Sequence, residues 1–594
     1  MFRHAFYISL LFLFFALIAV LSCSQTSPPA TSPDVPSSNV SGPVATFKAS
    51  ARMVTLEVVV KDRQGHHVPG LSAADFHVFE QIPSRGKHKY EQKIAAFREV
   101  KVAQLAAQAK NEIQVPEGFY ANAVTLQKNP VPPTIILVDG LNTEVKDQAQ
   151  VHVQMLRMLK ALPPDVPVSV FLLGYRLHVL QDFTSDPKIL QTALNKAITV
   201  DGVGLARIDP RDDPDEVSAR LESIGSGTGA RALPEAIDAT RKFEQFVYAA
   251  NMDRRVDATI DALTTLSRHL SGYPGRKNLL WISTAFPIHL IPLERDEDIG
   301  RRNYWLRLRH LANALGQTKV AVYPINPAGV QTTAFYGAGY RPRDLSPEGV
   351  VDTLNRDTLL QANEQDTMEV LAEGTGGKIC TGDNDLGDCV RKAVDDSSEF
   401  YEIAYYPDSQ NWNGEFRSIM LTTKQAGLRL AYRAGYFAQS EASATPGEQH
   451  KQLQSACEDY LDATAIPILA RTAVDSPDKL TFNLRIGLSP LTLIPTSDDG
   501  RELKAALAIC TFDEKGIPRE LLRYPIDHKW NAQEYQSVAK AGALQENIFI
   551  PGPRPAAVRL LVMDIPSGRL GSLRIRIQAG AAGRPPGGGG KSAP

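Results

Sequence analysis

The sequence predicts an α/β plus β architecture: a doubly wound, mostly parallel sheet flanked before and after by β-rich units. Three patterns carry that expectation. Between Thr134 and Ile325, short apolar runs alternate with segments of helical period; period-2 alternation marks Val54 to Val60; and strand-like runs return from Phe400 to Phe437 and from Val558 to Ile577. At 594 residues the chain exceeds a single hydrophobic core, so three or four folded units are expected. Its 64 basic and 66 acidic residues are spread along the chain and leave no broad basic face, which argues against nucleic acid as a partner.

The elements follow in order. Arg3 and His4 precede an apolar run from Ala5 to Leu21, about 25 Å long as a helix and short for a bilayer core, so residues 1–22 are expected to be a signal peptide. Val20-Leu21-Ser22-Cys23 resembles the lipobox of bacterial lipoproteins, with Leu21 standing where a small residue is usual, and makes Cys23 the candidate lipidation site. Residues 23–45 are Ser, Thr and Pro rich and read as a solvated tether. Residues 46–100 form a β-rich unit, opened by the alternating Val54, Leu56, Val58 and Val60; Ser72 and Asp75 there have capping-box spacing.

The α/β unit is expected over residues 130–398. Thr134 to Asp139, Val168 to Leu173, Leu177 to Gln181, Asn278 to Ser283 and Lys319 to Ile325 read as strands, and helical spacing recurs between most of them. An insertion spans residues 199–255, with a mobile first half and an added helix from Leu233 to Tyr248. Residues 399–438 return to β character and are expected to pair with the N-terminal unit. After a polar separator, residues 453–578 read as a C-terminal β-sandwich and residues 580–594 as a disordered tail.

Past Cys23, four cysteines remain, and export would favour their oxidation. Cys380 with Cys389 would close a short loop and Cys457 with Cys510 would tie the last unit, against the alternative of four buried thiols. No Cys-x-x-Cys spacing suggests structural zinc.

Taken in order, Gly70-Leu71-Ser72-Ala73-Ala74-Asp75-Phe76, Ile136-Leu137-Val138-Asp139-Gly140-Leu141-Asn142-Thr143, Leu180-Gln181-Asp182-Phe183-Thr184-Ser185-Asp186, Pro274-Gly275-Arg276-Lys277-Asn278, Val322-Tyr323-Pro324-Ile325 and Tyr405-Tyr406-Pro407 resemble the von Willebrand factor A-related proteins of Acidobacteria. The likeness runs over most of residues 50–438. It implies an A-domain fold with a ligand site at the carboxyl ends of the strands and brings no substrate with it, while the strand patterns on either side read as Ig-like β-sandwich units.

The resemblance also raises a metal-ion-dependent adhesion site, an Asp-x-Ser-x-Ser loop joined by a Thr and a second Asp. Such a loop can aim several oxygens at Mg²⁺ or Ca²⁺. Here Asp139 takes the first position and Thr143 the last, but Leu141 replaces the middle hydroxyl. Asn142 could offer an amide oxygen and Thr259 a hydroxyl; Thr284 stands in Ser283-Thr284-Ala285, where the second acid is missing. One carboxylate attracts a dication less than two, so weak or absent metal binding is expected. The plainer reading makes Asp139 and Thr143 helix caps. Asp383, Asn384, Asp385 and Asp388 lack a full calcium-loop pattern and read more simply as an N-cap.

No His-Glu-x-x-His, Gly-x-Ser-x-Gly or complete phosphate loop occurs, and Gly374-Thr375-Gly376-Gly377-Lys378 reads as a turn into a strand. The expectation is therefore not an enzyme. It is an envelope-associated protein whose A-type sheet turns the Asp139 loop outward to bind a protein or other extracellular macromolecule, with a membrane contact through a lipid anchor. A secreted hydrolase with its site in the insertion or the last β unit, and a purely structural envelope component, stand as alternatives.

Overall fold

The computed structural model describes residues 53–102, 115, 118–122, 132–143, 148–199, 233–283, 304–326, 367–380, 386–409, 411–438, 445–476, 479–550 and 553–577. The expected signal peptide, the expected tether with Cys23, the first part of the expected insertion, Thr284, Asp383 to Asp385 and the expected tail lie outside them.

In chain order, strands β1 (Val54–Lys61), β2 (Phe76–Gln81), β3 (Lys89–Gln92), β4 (Ile94–Lys101) and β5 (Phe119–Ala121) come first. Next are β6 (Thr134–Asp139), helix α1 (Gln148–Ala161), β7 (Val168–Leu173), β8 (Leu177–Thr184), α2 (Pro187–Thr199), α3 (Leu233–Leu270), β9 (Lys277–Ile282), α4 (Tyr304–Gln317), β10 (Val320–Ile325) and α5 (Leu386–Ser398). Then follow β11 (Glu399–Tyr405), β12 (Phe416–Thr423), β13 (Arg429–Ala431), β14 (Gly435–Phe437) and α6 (Pro446–Glu458). The last group is β15 (Ile468–Ser476), β16 (Lys479–Gly487), β17 (Leu493–Pro495), β18 (Arg501–Phe512), β19 (Pro518–Trp530), α7 (Ala532–Ala541), β20 (Ala543–Ile550), β21 (Ala557–Asp564) and β22 (Leu570–Arg576).

The central sheet has the order β10-β9-β6-β7-β8. Its first four strands are parallel and β8 closes one edge antiparallel to β7. Burial on both faces explains the unbroken apolar runs, because successive side chains must enter opposite layers. Ile135, Leu137, Phe171, Leu279, Trp281 and Val322 face one layer with α3 and α4. Ile136, Val138, Val170, Leu280, Ile282 and Tyr323 face the other with α1, α2 and α5. The doubly wound expectation holds for this unit.

Two sheets, β13-β1-β11-β4 and β14-β12-β2-β3, share a second core that includes Leu56, Val58, Val78, Ile403 and Leu421. Strand β1 lies antiparallel between β11, with Val54 opposite Tyr405, and β13. Thus residues from both sides of the α/β unit build one layered body. Inside it Glu80 and Arg417 are both fully buried; Glu80 accepts hydrogen bonds from the hydroxyls of Tyr405 (2.7 Å) and Tyr436 (2.8 Å), and Arg417 donates to the Ser409 carbonyl (2.9 Å).

A third core, with Phe482, Leu507, Leu560 and Ile575, lies between the sheets β20-β16-β15-β5 and β17-β18-β21-β22, with β19 paired to β18. Three boundaries differ from expectation. Strand β5 comes from the connection before the α/β unit yet forms the edge beside β15, and buried Asn122 holds it there by donating to the carbonyls of Ala463 and Ile466. Helix α6 occupies part of the supposed polar separator, started by a capping box between Thr445 and Glu448 with proline in its first turn. Helix α3 is continuous for 38 residues and crosses the end set for the insertion at residue 255, since no glycine or proline interrupts Tyr248 to Thr259.

Polar joints weld these bodies. Lys319 bridges Glu57 (3.1 Å) and Glu402 (2.6 Å), and Lys61 bridges Asp395 (2.8 Å) and Asp396 (2.5 Å). At the far end of α3, Arg268 pairs with Asp459 (3.0 Å) and the Thr464 hydroxyl donates to the His269 carbonyl (2.5 Å). Among the described residues, no helix is long and apolar enough to cross a membrane.

Candidate functional site

Strand β6 ends at Asp139, and the backbone N–H groups of Gly140 and Leu141 both donate to the Leu173 carbonyl of β7 (2.9 and 3.0 Å). That turn folds the loop back under its own side chains. Asp139, Leu141 and Asn142 are at most 1% exposed and Thr143 is 8% exposed. The Asp139 loop does not face outward as the sequence suggests: it is buried, because most of its polar atoms find partners inside.

One Asp139 oxygen accepts from the backbone N–H of Leu141 (3.1 Å) and of Asn142 (2.8 Å). The other accepts from the Asn142 amide Nδ2 (2.8 Å) and the Trp281 indole Nε1 (3.0 Å). Trp281 is placed for this by register, since β9 pairs with β6 with Trp281 opposite Leu137. Thr259, on α3, accepts from Asn142 Nδ2 (3.1 Å) and donates to the Arg255 carbonyl (2.8 Å). One turn earlier, Arg255 donates to the Leu141 carbonyl (2.6 Å). Burial raises the Asp139 carboxyl above the ordinary carboxylate range, while the Asn142 and Trp281 hydrogen bonds and the charge of Arg255 pull the other way.

The structure therefore brings Asp139, Asn142, Thr143 and Thr259 to one strand end, while Thr284 lies outside the described residues. These residues do not fit a divalent ion as they stand. A carboxylate has about four lone-pair positions, and here four N–H groups point at them. Asn142 Oδ1 and Thr143 Oγ1 are buried oxygens without a partner among the described residues, but two neutral oxygens are a poor exchange for the hydration shell of Mg²⁺ or Ca²⁺. Sequence reasoning missed Arg255 and the role of Trp281. The available signal was that a buried indole needs an acceptor, and Asp139 ends the adjacent strand.

Cys380 forms a parallel bridge with Ile325 at the sheet edge and is paired with Cys389 in the first turn of α5, Cα to Cα 6.2 Å. Cys457 and Cys510 are paired at 5.9 Å. The Gly374 to Lys378 segment ends a helix at 367–375 and turns toward Cys380; a Cβ on Gly377 would stand 1.9 Å from the Val322 carbonyl oxygen, so close chain packing accounts for that glycine. Between α1 and α5 lies a cavity of about 190 Å³ lined by Gln154, Arg157, Lys160 and Arg391 among others.

No family model and no curated protein matches the chain. Solved structures with some likeness include an aerotolerance-related membrane protein from Bacteroides fragilis, 10% identical over 45% of this chain and 98% of that one, with a TM-score of 0.24. BatB from Bacteroides thetaiotaomicron has the same identity and coverage at a TM-score of 0.23. A von Willebrand factor type A protein from Catenulispora acidiphila is 10% identical over 62% of this chain and 74% of that one, with a TM-score of 0.17.

Proposed function

We propose that this chain is an exported, envelope-associated protein of the von Willebrand factor A-related kind, in which an A-type sheet is braced between two Ig-like β units and binds a protein partner rather than catalysing a reaction. The two cysteine pairs support a compartment outside the cytoplasm. Cys23 supplies the membrane anchor in this reading.

The observation that carries the binding role is the first half of α3. Phe243 and Phe246 are 67% and 68% exposed and Val247 is 38% exposed, at the spacing i, i+3, i+4 that puts them on one helical face. Exposed aromatic anchors at that spacing suit insertion into an apolar groove of another protein.

The test compares the wild type with a Phe243→Glu/Phe246→Glu variant for proteins cross-linked or retained from the cell envelope. The wild type is expected to hold a defined partner that the variant loses, at unchanged melting temperature. Equal retention by both would remove the helix face from the reading. Separately, a Cys23→Ala variant is expected to leave the membrane fraction, and unchanged partitioning would exclude the anchor.

A further inference from the structure

We infer that the strand-end centre around Asp139 is a metal-free hub, in which hydrogen-bond donors carried by the chain stand where an A-type domain would otherwise hold a divalent ion. The inference stands on geometry and is independent of which partner the protein binds.

A cation at Asp139 needs lone pairs on the carboxylate and oxygens around it. The carboxylate and the Thr259 hydroxyl are already committed, and what remains among the described residues is two neutral oxygens, Asn142 Oδ1 and Thr143 Oγ1. Trp281 Nε1 and Asn142 Nδ2 converge on one carboxylate oxygen, and the other faces the backbone N–H of Asn142 and that of Leu141, which it shares with the Leu173 carbonyl. A dication entering there would meet four hydrogens that carry partial positive charge. The Thr259 hydroxyl already receives Asn142 Nδ2 and spends its own proton on the Arg255 carbonyl. Leu141, where a hydroxyl ligand would stand, is instead buried with the apolar layer.

The substitution is positive as well as negative. The guanidinium of Arg255, 3% exposed, holds the Leu141 carbonyl and supplies the fixed positive charge beside Asp139. Indole, amide and guanidinium tie β6, β9 and α3 at one point, the mechanical role that an ion bound between neighbouring loops would serve. Because those groups are covalently part of the chain, the strand end keeps its form in the presence of a chelator.

Calorimetric melting of the full chain in chelator, and in millimolar Mg²⁺, Ca²⁺ or Mn²⁺, tests this. The wild type is expected to melt at the same temperature in all four, whereas Trp281→Phe, which deletes one donor, should lower the melting temperature by about 3–8 °C. A cation-dependent rise in the wild type that Asp139→Asn or Thr259→Val abolishes would overturn the inference. Thr259→Val is included because it retains shape if Asp139→Asn fails to fold. A rise that both variants retain places the ion elsewhere and supports a metal-free hub. A Trp281→Phe protein as stable as the wild type would also overturn it, since the indole would then not be holding the centre.

Discussion

Lys277 opens β9, is 1% exposed and donates through its ammonium group to the Tyr273 carbonyl (2.7 Å). Burial, aided by the charge of Lys319 and opposed by Glu57, pushes it down to about 7. An unfolded lysine stays protonated until about pH 10.4, so between about pH 7 and 10 the unfolded chain binds the extra proton and stability rises with pH. Below that window the buried charge is carried in full. Urea unfolding at pH 7 and pH 9 should show the wild type gaining on the order of 2 kcal/mol relative to Lys277→Met. Parallel pH dependence in the two proteins would contradict a buried, depressed lysine. At the same scale, Asp139, Asn142 and Thr259 could be singled out by spacing, because a strand-ending acid and hydroxyls at loop positions leave a pattern in the sequence. Arg255 left no such pattern, since its contribution depends on where α3 lies, and Trp281 left only the general need of a buried indole for an acceptor, its choice of Asp139 being set by the register of β9 on β6.

Among the elements, α6 shows how a short helix is held at both ends. Thr445 and Glu448 satisfy its first N–H groups, and buried Arg559 donates to the carbonyls of Ala456 (3.2 Å) and Cys457 (3.0 Å) at its last turn. Cys457 then ties it to β18. In the chain-entropy account the stabilisation by a cross-link grows with the loop it closes. The Cys457–Cys510 separation of 53 residues against 9 for Cys380–Cys389 predicts that replacing the former pair by alanine lowers stability by about 1.5 kcal/mol more. Denaturant melts of the two double variants measure this, and the reverse ranking would refute it. The strands of the α/β unit were legible because both-face burial writes long apolar runs into the sequence. Strand β5, three residues of mixed polarity, was not; its place comes from hydrogen bonds to β15 and from Asn122.

For the whole molecule, the decisive relation is that β1 and β11 pair across about 350 residues, whereas β6 and β7 pair across about 30. Closing the longer loop costs more entropy before any contact repays it. Pulse-labelled hydrogen exchange during refolding should protect the amides of Ile136 and Val170 before those of Leu56 and Val58. Simultaneous protection would show that the two bodies form as one unit. The α/β alternation could be read locally, while partner choice among strands so far apart rests on which faces the completed body can cover.

That pairing gives the chain a built-in check on its own completeness. Strand β1 has nothing to pair with until residues 399–405 have also been made, so a prematurely terminated product keeps an open, sticky edge. Only a polypeptide extending through the last strands of that body, near residue 437, can hide it.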